Sequence, residues 1–175
     1  MFHRFSSLTV LVTLVGSLLA MPAANALAQT TNPNQNKLAV PVSGAVENGG
    51  TLVGSFAISR FAIQDGQLMA VGVLTGTVST VGAVPQTIVS NIAMPVISAT
   101  GTCEILNLEL GPLDLRLLGL EVHLDRIVLN ITAVPGAGNL LGNLLCAIAG
   151  LLDGGALGQQ LVNLLNQLLT ILAGL

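Results

Sequence analysis

The chain has no tryptophan and no tyrosine, and only four phenylalanines among 175 residues. Beyond residue 28 the only aromatics are Phe56 and Phe61. Platforms that stack sugars or bases need several aromatic faces, so both are excluded as a main activity. Charge is equally scarce. Charged residues make up 7% of the sequence, against about 25% in ordinary soluble domains. Past residue 28, Lys37, Arg60, Arg116 and Arg126 stand against eight acids, a net charge of −4. No basic stripe exists for a phosphate backbone, so no nucleic-acid partner is expected. The solvent face must be built from Ser, Thr, Asn, Gln and Gly.

Catalytic motifs are missing too. No G-x-S-x-G elbow, P-loop or strand–GxGxxG–helix unit occurs. Gly136–Gly142, GAGNLLG, has the glycines of a phosphate loop, but it has no Lys and leucines fill its centre. Outside the N-terminus there is one histidine, His123, flanked at two-residue spacing by Glu121 and Asp125. In a strand all three share one face, about 7 Å apart. That pattern suits either a general base or metal site, or a solvated polar face. A metal needs ligands converging from other strands, so the solvated face is the reading taken. Glu104, Glu109, Asp114, Glu121 and Asp125 alternate along strands rather than crowd one loop, which argues against calcium. Asn130-Ile131-Thr132 is a glycosylation sequon, but it sits inside a strand pattern. No cofactor and no catalytic residue is expected.

What is present begins with an export signal. Arg4 precedes an uncharged stretch, Ser6–Ala20, and Ala26-Leu27-Ala28 fits the small-x-small cleavage rule. Cleavage after Ala28 leaves residues 29–175 for the periplasm or the extracellular space. In such a compartment Cys103 and Cys146 are expected to form a disulfide. It would close a loop worth about 4 kcal/mol in the chain-entropy model.

Residues 29–37 read as a polar, flexible leader, and residues 38–175 as a single domain. Within it, 38–134 has strand texture and 138–175 helical texture. Leu38–Val46 is a strand with Pro41 suggesting an edge. Asn48-Gly49 and Asp65-Gly66 are tight-turn signals. Thr51–Ile63, Leu68–Ser79 and Gln86–Ser98 are the next strands. The parity of apolar residues changes near Arg60, which predicts a bulge. From Cys103 to Thr132 leucines alternate with polar residues, interrupted at Gly111-Pro112 and Gly119. This is a sheet with one wet face. Asn139–Leu152 is expected to be a helix, with Asn139 as N-cap and small residues Gly142, Cys146 and Ala149 or Gly150 facing the sheet. After Gly154-Gly155, Ala156–Leu172 forms a second helix with a polar stripe, Gln160, Asn163, Gln167 and Thr170.

Two stretches carry a resemblance. FAIQDGQLMAVGVLTGTV (Phe61–Val78) and CEILNLELGPLDLRLLGLEVHLDRIVLNITAVPGAGNLLGNLLCAIAGLLDGG (Cys103–Gly155) resemble a group of small exported bacterial proteins of unknown function. They cover about half of the chain after residue 28. The resemblance implies export and carries over no activity and no catalytic residue.

The expected architecture is α+β: a curled antiparallel meander of six to eight strands with a leucine-rich helical hairpin on one face. The expected function is a non-enzymatic envelope or extracellular structural or interaction module. The alternative is a carrier or sensor of an apolar small molecule or lipid. A protein partner through the C-terminal helix is a further expectation. Membrane spanning is not expected, because Gln159, Gln160, Asn163, Asn166 and Gln167 would be costly in lipid.

Overall fold

The computed structural model describes residues 38–155 and 158–174. The expected signal peptide (1–28) and leader (29–37) lie outside them, as do Ala156, Leu157 and Leu175.

Eight strands form one antiparallel sheet: β1 (Ala39–Val46), β2 (Gly50–Gln64), β3 (Gln67–Ser79), β4 (Gln86–Gly101), β5 (Ile105–Leu110), β6 (Leu113–Leu117), β7 (Leu120–Leu124) and β8 (Ile127–Thr132). Two helices follow, α1 (Leu140–Asp153) and α2 (Gln159–Gly174). The sheet order is β6-β7-β1-β2-β3-β4-β5-β8. The α+β fold with a curled sheet and helical hairpin is therefore present, with eight strands.

The segments after Cys103 make a single long ribbon. Ile105 lies opposite Thr132, Leu110 opposite Ile127, Leu113 opposite Leu124 and Leu117 opposite Leu120. The register never slips; only Gly111-Pro112 and the facing Asp125-Arg126 interrupt it. One half of the ribbon pairs through β5 with β4, and the other pairs through β7 with β1. The ribbon thus ties the two ends of the meander together and makes the sheet curl.

Local chemistry drives the same curl. Ser59 is an extra residue in β2, where the register shifts between Ile58 and Arg60. A second shift lies at Ile97 in β4. Bulges bend strands and raise their twist. Gly54 and Gly76 face each other across β2 and β3, and a Cβ on Gly72 would lie 2.9 Å from the Phe56 ring while colliding with the Ala57 carbonyl. Removing inward side chains here lets the strands bend over the core.

The turns follow their sequence signals. Asp65-Gly66 has φ of 51° and 80°, the mirror-image turn that matches strand twist. Asn48-Gly49 instead closes a short 3-10 turn, Glu47–Gly49. Leu118-Gly119, the tip of the ribbon, adopts φ of 55° and 80°. Leu118 occupies a conformation that branched side chains rarely take.

Pro41 corrects one expectation. β1 is not an edge strand; it lies between β7 and β2. Its pairing with β7 covers only Gly44–Val46. Leu38 O accepts from Ile58 N on the β2 side, while Ser43 O accepts from Asp125 N on the other. Odd residues therefore turn their backbone away from β2, and Pro41 sits where no strand needs its missing N–H.

The core is a single apolar cluster beneath the even-numbered positions of most strands, joined by Phe61 after the bulge in β2 and by Ile127 and Ile131 of β8. Leu52, Phe56, Leu74 and Met94 are fully buried from the long strands, and Leu106, Leu108 and Leu110 from the ribbon. Leu145 and Ile148 of α1 and Leu161, Leu165 and Leu168 of α2 complete it. Each such side chain contributes about 1.5–3 kcal/mol on burial. No described polar residue is buried, and no buried side-chain polar atom lacks a partner.

α1 packs on β4 and β5, and α2 packs on β2 and on α1. Cys103, in the β4–β5 connection, is disulfide-bonded to Cys146 in the middle of α1. The small-residue stripe divides its work. Gly142 lies against the Val134–Pro135 backbone rather than the sheet, Ala149 is buried, and Gly150 faces open space. Asn139 occupies the N-cap position but makes no capping bond with its side chain. Asn143 holds the entry instead, accepting from Gly136 N (3.1 Å) and donating to Gly136 O (2.9 Å). No described helix is long and apolar enough to cross a membrane.

Candidate functional site

The charged residues are segregated. Arg60 is the only charged side chain in β1–β4. Most of the rest lie on the ribbon or its ends.

On the ribbon's outer face, register brings opposite charges together. His123 lies opposite Asp114 and Arg116 opposite Glu121. His123 donates from Nδ1 to Asp114 Oδ1 at 2.6 Å, and Arg116 Nη2 donates to Glu121 Oε1 at 2.7 Å. Arg126 donates to Glu109 at 3.3 Å, and the Ser43 hydroxyl donates to Asp125 at 2.7 Å. Glu121, His123 and Asp125, consecutive on one face in sequence, each take a different partner and do not converge.

A groove of about 780 Å³ beside them is lined by Glu47, Asp114, Arg116, Glu121 and His123 and contains no Ser, Thr or Cys. A His–Asp pair without a nucleophile lacks the third element of acyl-transfer chemistry. Among the described residues no cluster of three His, Cys, Asp or Glu side chains is placed to hold a metal. This patch is an exposed ladder of polar and charged pairs, worth little in stability, and it shields the β6 edge from pairing with another strand.

The second surface is a larger open groove of about 990 Å³ between the C-terminal half of α2 and the outer side of β2 and β3. Its floor and walls include Leu38, Ile58, Val73, Leu169 and Ala173, with Ser55, Thr75 and Thr170 among them. Two features of the sequence build it. The bulge at Ser59 lets Ile58 and Phe61 both face the core and turns Arg60 outward, opposite Val71. Among the described residues, β1 pairs with β2 only as far as Ala39 and Ala57, with Ile58 N donating to Leu38 O beyond them. Past that point Asn166 engages the β2 backbone: its Oδ1 accepts from Phe61 N at 2.7 Å and its Nδ2 donates to Phe61 O at 3.0 Å.

The role of Asn166 has no local signal in the sequence. The polar stripe of the second helix, Gln160, Asn163, Gln167 and Thr170, is exposed, whereas Asn166, outside that stripe, is half-buried. The parity change at Arg60 was the signal for the bulge. Arg60 makes no hydrogen bond or ion pair with any described residue, whereas Arg116 and Arg126 each have a glutamate.

The third surface is the outer face of β1–β4. Rows such as Pro41–Ser55–Thr75–Val89 and Ser43–Val53–Thr77–Thr87 run across all four strands. Val53 and Val89 are 65% and 70% exposed. No family model, curated protein or solved structure matches the chain.

Proposed function

We propose that the chain is an exported, non-enzymatic module of the cell envelope or extracellular space that binds a partner through the uncharged outer face of β1–β4. The observation that carries this reading is the segregation of charge. A solvated sheet of this size ordinarily carries charged residues throughout. Here four strands carry one, at the bulge, while the ribbon holds two arginine–glutamate ion pairs and the His123–Asp114 hydrogen bond. Depletion of charge is the compositional mark of an interface centre, and Val53 and Val89 add exposed apolar surface to this face. Export accords with the disulfide, which persists in oxidising compartments.

The test places charge on that face. Val53→Lys with Thr75→Lys is a surface change and is expected to alter stability by about 0.5 kcal/mol or less per site. The wild-type protein is expected to be retained with the envelope fraction after osmotic release, and the double variant to be freed from it. Asn130→Lys, on the ribbon, should stay bound. Retention of the double variant, or free release of the wild type, would count against the proposal. A second reading, a carrier of an apolar small molecule or lipid, is favoured by the groove beside α2.

A further inference from the structure

Resting on that second reading, we propose that the groove between α2 and β2 binds a long-chain carboxylate, with the acyl chain along Leu38, Ala57, Val73 and Ala173 and the carboxylate on Arg60. At about 990 Å³, the groove is at the top of the roughly 300–1,000 Å³ range of small-molecule sites. Its lining suits an amphipathic guest. Leu38, Ala57, Val73 and Ala173 are half-buried, and the hydroxyls of Ser55, Thr75 and Thr170 lie beside them. Arg60 is the only charged residue in the lining. It has no partner among the described residues, in a chain of net charge −3 where the other described arginines are paired. The bulge that turns it outward is a device proteins use to re-aim side chains at sites. A guanidinium offers a planar fork of donors that matches a carboxylate in both charge and shape.

The competing role for Arg60 is local. The carbonyl end of α2, at Ala173 and Gly174, lines the same groove, and a cation there favours the helix. The experiment separates the two. Isothermal titration of the purified protein with hexadecanoate is expected to show one site, and Arg60→Gln to weaken it about tenfold or more, as loss of a charge-assisted contact does. Hexadecanol should bind the wild type and Arg60→Gln alike. Ala173→Phe, which fills the groove and leaves the Arg60 side chain in place, should abolish binding of both ligands. Equal hexadecanoate affinity in wild type and Arg60→Gln, with a lowered melting temperature in the variant, would assign Arg60 to the helix end and overturn carboxylate recognition while leaving the carrier reading standing. If neither hexadecanoate nor hexadecanol binds, the carrier reading itself fails. If Ala173→Phe binds both unchanged, the ligand sits elsewhere and this site is wrong.

Discussion

Asn166→Ala should be the most costly polar substitution in the second helix. The side chain makes two hydrogen bonds to the Phe61 backbone, at 2.7 and 3.0 Å, beyond the described pairing of β2 with β1. Alanine leaves a strand N–H and C=O without partners among the described residues, beside a core phenylalanine that is 2% exposed. An unsatisfied buried group costs about 1–3 kcal/mol. Asn166 borders an open groove, so water can reach part of the site and the low half of that range applies to each group. The pair then costs about 3 kcal/mol. Alanine returns up to about 0.7 kcal/mol in helix propensity. The net loss is about 2 kcal/mol, or roughly 8 °C in melting temperature at about 4 °C per kcal/mol for a domain of this size. Asn163→Ala is the control. It gains the same propensity and loses only an exposed bond from Gln159 at 3.2 Å, so it should be neutral or slightly stabilising. Urea unfolding followed by far-ultraviolet circular dichroism, with shared m-values, measures both. If Asn166→Ala is as stable as Asn163→Ala, the side chain is not needed by the β2 backbone and this account of Asn166 is wrong.

Replacing both cysteines by serine should lower stability by about 2–4 kcal/mol, the upper figure coming from chain entropy for a sequence separation of 43. Unfolding with and without reductant reads this directly, and equal midpoints would show that the bond adds nothing. His123→Ala should shift stability by less than about 1 kcal/mol, because its pairing with Asp114 is exposed. Zinc or calcium should leave the melting temperature of the wild type unchanged. A zinc-dependent rise that disappears in His123→Ala would restore the metal-site reading, since a bound ion at a hundred times its dissociation constant adds about 2.7 kcal/mol.

Much of the architecture could be read from residue order because each signal was local. Asp65-Gly66 needs two left-handed positions and little else. The alternation of Leu106, Leu108 and Leu110 with Asn107 and Glu109 has a period that only a one-sided strand satisfies. The bulge near Arg60 showed itself because Ile58 and Phe61 are both apolar at positions of opposite parity. The candidate site was far less legible. The groove is lined by α2, β2 and β3, and no local pattern reports how a helix far later in the chain lies against those strands. Asn166 and Phe61 are 105 residues apart, and an asparagine on a helix edge looks the same whether it meets water or a strand backbone. The misreading of Pro41 has the same origin: strand order depends on the ribbon, which arrives some 80 residues later.

The sequence alone determined that the chain would bury leucine on one side of a sheet, turn at its Asx-Gly pairs and keep charge off its first four strands. Those outcomes follow from side-chain polarity and backbone sterics within a few residues. Only the tertiary structure decided that the last four strands are one continuous ribbon joining β4 to β1. It also decided that α2 bonds the β2 backbone with an amide, and that Arg60, without a partner among the described residues, lines a groove of mixed polarity. These depend on distant segments meeting, which sets the side chains that can reach a given backbone group.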